Sequence, residues 1–184
     1  MAEYKRDLSI SMGKAQLYSL LTPLPVVVPL AVLYLWRWEL SLEMDLFELV
    51  LFYGIGAVAL VVGVVAHEYI HGLTWRVLGR KPRSAIEFGV QWKALTPYAH
   101  CKEPLRARAY RYGAAMPGLV LGILPSVVGI LIGNGWVMVF GLLFTVAAGG
   151  DALILWLLRG VGPEQLVEDH PSNAGCYMLD RETP

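Results

Sequence analysis

An apolar run from Leu49 to Ala66 leads directly into His67-Glu68-Tyr69-Ile70-His71, an H-E-x-x-H sequence. The run is long enough to enter a bilayer, whose hydrocarbon core takes about twenty apolar residues of helix. Three ionisable side chains at its end are costly in lipid, and such residues mark functional sites. Residues four apart share one face of a helix. His67 and His71 therefore present two imidazoles to a single metal ion, with Glu68 beside them, aimed at a bound water.

Composition supports the membrane reading. Of 184 residues, 56% are hydrophobic and 16% charged, and the mean hydropathy is +0.52. Ordinary soluble domains carry about a quarter charged residues. The length suits one membrane-embedded domain over residues 1–184. A net charge of zero gives no basis for a nucleic-acid partner. Cys101 and Cys176 are too few and too far apart for a disulfide framework, and read as reduced thiols on the cytosolic side. The N-terminus fits a signal peptide poorly: its apolar segment starts only at Leu17 and contains Pro23, Pro25 and Pro29.

The expected fold is an α-helical polytopic membrane protein of about four transmembrane helices, with a small β-hairpin or sheet at the cytosolic membrane surface. A polar lead-in, Met1 to Gln16, precedes spans at 17–36, 46–70, 113–132 and 136–158. Tyr34, Trp36 and Trp38 suit an interfacial aromatic belt. Gly54, Gly56 and Gly63 offer a small-residue surface for close helix packing. Ile86, Phe88, Val90 and Trp92 alternate with polar residues or glycine at a strand period of two, and Leu95 to Cys101 is a second extended piece. Together they make a hairpin over 85–101, with Pro97 at an edge or bend. Pro104 suits the first turn of the next helix, whereas Pro117 and Pro125 kink the third span. The tail, 159–184, is polar, with a further strand over Gly175 to Leu179. Fourteen of the fifteen Lys and Arg residues fall on the side of the N-terminus, the 72–112 loop and the tail. That bias places both termini in the cytosol, with Arg37 alone on the far side.

A catalytic zinc usually has three protein ligands and one open position. Candidates for the third are Asp151, His100, His170, Glu164 and Glu168. Depth separates them. The middle of the H-E-x-x-H turn lies about 10 Å above Arg76, and Asp151 about 12 Å above Arg159, at the rise of an α-helix. Both arginines belong at the cytosolic interface, so the levels agree. An unpaired carboxylate at that depth carries a desolvation cost that a dication between two imidazoles would offset. Gly149-Gly150 would allow the two helices to approach closely. The alternative for Asp151 is pairing with a basic side chain or a protonated packing role.

H-E-x-x-H at the cytosolic end of one span, with Asp151 level with it in a later span, resembles the site-2 protease clan of intramembrane zinc metalloproteases. Small bacterial zincin peptidases look closest, and the resemblance covers Leu46 to Leu158. It implies cleavage of transmembrane or membrane-associated protein substrates in the bilayer of a prokaryotic cytoplasmic membrane. It further implies one Zn2+ per chain on His67, His71 and Asp151, and Glu68 as general base. In the clan's best-known pattern, Gly follows the Asp, and Asn and Pro stand eight and five residues before it. Here those positions hold Ala152, Leu143 and Val146, so the resemblance supplies no oxyanion-stabilising group.

His100, on the hairpin, is a candidate for that role; a solvated loop histidine is its plainer reading. His170-Pro171 reads as a turn, and Arg106, Arg108 and Arg111 as contacts to anionic lipid. Two other functions fit parts of the pattern. One is a protease resembling those that trim prenylated C-termini, with Glu164 or Glu168 as third ligand. The other is a non-catalytic metal-binding scaffold or transporter, although four spans show no internal repeat. Other divalent ions suit the same ligands as zinc, and oligomeric state is left open.

Overall fold

The computed structural model describes residues 4–39, 45–92 and 96–179. Most of the link between the first two spans, the hairpin turn and the last tail residues lie outside these ranges. The chain is mostly helical, and its first departure from expectation is at the N-terminus. Tyr4–Ile10 is a strand (β1), and the following helices are α1, Met12–Leu21, and α2, Leu24–Arg37. Leu8 of β1 packs on a buried cluster formed by Trp75, Tyr110, Leu158 and Val167, which is why a segment expected as a polar lead-in is ordered. Pro23 separates α1 from α2, and Thr22 Oγ1, beside it, donates to the Gly149 carbonyl (2.7 Å).

Helix α3, Leu46–Leu78, carries the H-E-x-x-H sequence. Next come β2, Ile86–Gln91, β3, Thr96–Cys101, and β4, Leu105–Arg106. The third apolar helix begins at Ala107, six residues before Gly113. It comprises α4, Ala107–Pro117, a π-helical stretch, Gly118–Ile123, and α5, Leu124–Ile132. Pro104 is therefore outside the helix it was expected to start. The wider π turns fall between Pro117 and Pro125, neither of which can donate an amide hydrogen bond.

The fourth apolar segment breaks into α6, Gly135–Ala147, and α7, Gly149–Leu157, bent by 42°. Asn134 caps α6 by accepting from the amides of Trp136 and Val137. The tail forms β5, Leu166–Asp169, and β6, Ala174–Leu179. These join β1 and β4 in an antiparallel sheet of order β1-β6-β5-β4, while β2 and β3 pair as a separate hairpin. The expected strand at 175–179 thus pairs with the chain's beginning, β1, on one side and with β5 on the other.

Among the described residues, three helical segments are long and apolar enough to cross a membrane: Met12–Arg37, Leu49–Leu78 and Ala107–Ile132. The bent pair α6–α7 makes up to four. The expected aromatic belt is divided. Trp36 is exposed, but Tyr34 and Trp38 pack with Ile130 and Met138. There the Trp38 indole donates to the Ile130 carbonyl (2.8 Å), one of the unpaired acceptors at the end of α5. The glycines divide too: Gly63 lies against the Phe144 ring, whereas Gly54 and Gly56 have nothing within 4 Å.

Candidate active site

His67 and His71 lie one turn apart on α3 and are both buried, with ring centroids 4.9 Å apart. The break between α6 and α7 places Asp151 in the first turn of α7, where the helix dipole favours a negative charge. Its carboxylate bridges the two rings: Oδ2 is 3.1 Å from His67 Nε2, and Oδ1 is 3.3 Å from His71 Nε2. All three donor groups fall within 4.8 Å of one another. Ligands at 2.0–2.1 Å from a tetrahedral zinc stand about 3.3 Å apart.

The His71 tautomer strengthens the fit to a cation. His71 Nδ1 lies 2.8 Å from the Gly113 carbonyl, which can only accept, so Nδ1 carries the proton. In a neutral ring, Nε2 then turns a lone pair toward a carboxylate oxygen. Two acceptors at that distance need a positive charge between them, a second proton or a metal ion. Two imidazole nitrogens and a carboxylate oxygen form a donor set that suits zinc.

The sequence holds the reason this carbonyl is available. In an α-helix, the Gly113 carbonyl would accept from the amide of residue 117, and Pro117 has none. Gly113 has a second role: a Cβ there would overlap the Trp75 indole. Trp75 stacks on His71 at 5.4 Å and on Tyr110 at 5.7 Å, so an aromatic face packs against the imidazole. The Gly113-x-x-x-Pro117 spacing was the available signal for this support; sequence reasoning read Pro117 only as a kink.

The backbone of Ala99, on the outer edge of β3, lies beside the Glu68 carboxylate. The Cys101 amide points away from β2, to Asp169 Oδ2 (3.3 Å). By the alternation of an antiparallel ladder, the backbone groups of Ala99 and Pro97 point the same way. Pro97 therefore costs the β2–β3 ladder no hydrogen bond.

The other candidates for the third ligand are outside this cluster and have partners of their own. His100 Nδ1 pairs with Asp169 (2.9 Å), and Asp169 also accepts from Tyr110. That partnership raises the His100 pKa above its ordinary value, against the opposing effect of burial. Glu164 bridges Arg106 (2.8 Å) and Arg108 (2.9 Å). Glu168 lies in β5 opposite Tyr177. His170 Nδ1 accepts from the amides of Ser172 and Asn173, the turn expected there. Arg111 points inward and donates to the carbonyls of Leu158 and Val161 at the end of α7, not to the surface. Gly149 approaches the Ser19 backbone of α1 rather than α3, and a Cβ at Gly150 would meet nothing.

Residues 60–166, more than half of the chain, match the family described as putative zincin peptidase. The chain belongs to that family. The match spans the H-E-x-x-H turn, the hairpin and Asp151, and it suggests a zinc metallopeptidase. No curated protein and no solved structure matches it.

Proposed function

We propose that this zincin peptidase is an intramembrane zinc metalloprotease of the site-2 protease type, cleaving transmembrane or membrane-associated proteins near the cytosolic face. The observation that carries the proposal is the meeting of His67, His71 and Asp151, from two apolar helices, at ligand-to-ligand distances of 3.1 and 3.3 Å. The His and Asp side chains would hold the ion, with Gly113 fixing the His71 ring. A bound divalent ion supplies Lewis acidity, polarising a peptide carbonyl and making water acidic enough to attack near neutral pH.

Glu68, adjacent to His67, takes the proton from that water and delivers it to the leaving amine. The outer edge of β3 brings the backbone of Ala99 to Glu68, so an extended substrate segment laid along it would present its carbonyls beside the base. The charge bias in the loops supports cytosolic termini and a site near the cytosolic surface. The three or four apolar helices, the hairpin and the tail sheet act as one membrane-embedded domain.

The test compares the full-length wild type, Glu68→Gln and Asp151→Ala, purified in parallel. Wild type and Glu68→Gln should carry about one zinc per chain, and Asp151→Ala markedly less. Only the wild type should cleave a fused transmembrane substrate. Turnover retained by Glu68→Gln would overturn the mechanism, and full zinc retained by Asp151→Ala would remove the third ligand.

A further inference from the structure

A cleft of about 570 Å³ opens between the end of α3 and the start of α4, a volume within the range of small-ligand pockets. Leu78, Tyr112 and Leu166 give it an apolar wall, and Arg80, Lys81, Arg106 and Arg108 line it with cations. Leu78 and Tyr112 are exposed and lie near the ends of two bilayer-length helices, a position that would meet lipid headgroups where these helices span a bilayer.

The charges do not cancel. Glu164 serves both Arg106 and Arg108, and Glu103 serves Lys81 (3.0 Å). Two carboxylates against four cations leave an excess of positive charge, and among the described residues Arg80 has no ion-pair partner. Arg80 also occupies an unusual backbone position. The Lys81 amide closes the helix end onto the Arg76 carbonyl (3.1 Å), with Arg80 at φ 52°. Glycine takes that conformation freely, and a residue with a Cβ does so at a cost. The sequence puts glycine one residue earlier, at Gly79, where a Cβ would strike Leu105 and the Trp75 carbonyl. The strained position thus carries one of the cations that line the cleft.

We infer that this cleft binds the phosphodiester headgroup of an anionic phospholipid, with Arg80 as its principal free cation and Leu78 and Tyr112 against the start of the acyl chains. The inference rests on membrane insertion and is independent of the peptidase chemistry.

The test uses the full-length protein in neutral detergent. Retention of phosphatidylglycerol and phosphatidylcholine is read by native mass spectrometry, and short-chain lipids or inorganic phosphate are titrated with thermal unfolding as readout. Phosphatidylglycerol should be retained over phosphatidylcholine and should raise Tm. Arg80→Gly keeps the backbone position without strain, so its lipid-free Tm should hold or rise while phosphatidylglycerol binding falls roughly fivefold. Lys102→Gln, which removes a cation outside the cleft, should bind as wild type does. Equal retention of the two lipids, or unchanged binding by Arg80→Gly, would overturn the inference. Inorganic phosphate giving the whole Tm shift would assign the cleft to a soluble phosphate and overturn the lipid source.

Discussion

His71 Nδ1 lies 2.8 Å from the Gly113 carbonyl, whose helical donor position, four residues on, is occupied by Pro117. A residue that cannot donate thus frees an acceptor for the imidazole, and the imidazole is left with its Nε2 lone pair toward Asp151. Hydrogen bonds of this kind fix ring orientation and tautomer, and losing them typically costs a metal site ten- to a hundredfold in affinity. Pro117→Ala returns a competing amide, and zinc affinity measured by chelator competition should fall by about tenfold or more. Unchanged affinity would mean that the carbonyl serves both donors.

Gly113→Ala probes the same support from the other side. Its Cβ would overlap the indole of Trp75, which is buried between His71 and Tyr110. Overpacking typically costs about 1–3 kcal/mol. Zinc content and Tm should both fall, and a variant with normal values for both would show that Trp75 has another place to go.

What could be read from the sequence followed how local its cause is. The imidazole pair needs only the four-residue repeat of a helix, and the level of Asp151 only a count of residues from the arginine that follows each apolar segment. The four-stranded sheet was out of reach because β1 finds its partner at the far end of the chain, as in the pairing of Asp7 with Tyr177. Two apolar positions in β1, Leu8 and Ile10, carry too weak a pattern to announce a strand. Tyr34 and Trp38 resembled interfacial residues because their place beside an apolar run is all the sequence reveals. Their partners are carbonyls at the end of α5, those of Gly133 and Ile130, and that position depends on how α2 packs on α5.

The glycines of α3 make the same distinction measurable. A Cβ at Gly63 would stand 2.6 Å from Phe144 Cε2, and Phe144 is fully buried. Gly63→Ala should therefore destabilise by about 1–3 kcal/mol. Gly54→Ala and Gly56→Ala meet no neighbour and should be neutral, or stabilising by up to about 1 kcal/mol through helix propensity. Unfolding in mixed micelles checks all three. A loss of stability at residue 54 or 56 would show that this part of α3 packs on a second molecule.

The His100–Asp169 pair should give the fold a pH dependence outside the candidate metal site. Its hydrogen bond to Asp169 raises the His100 pKa from 6.5, and Glu87 and Glu168 act in the same direction while burial opposes them. A raised value means that folding favours the protonated ring. The contribution is complete below the ordinary histidine value and is lost as pH rises through the raised one. The nearby thiols act on both proteins alike: burial pushes Cys101 upward and Cys176 up to about 12, so the stability they lose once unfolded thiols ionise is common to the two profiles. Between about pH 6 and pH 9, wild-type Tm should fall more steeply than that of His100→Gln. Asp169→Asn should flatten the profile equally, although it also weakens the Tyr110 and Cys101 contacts and starts from a lower Tm. Identical slopes in wild type and His100→Gln would show that the ring's charge does not hold the hairpin to β5.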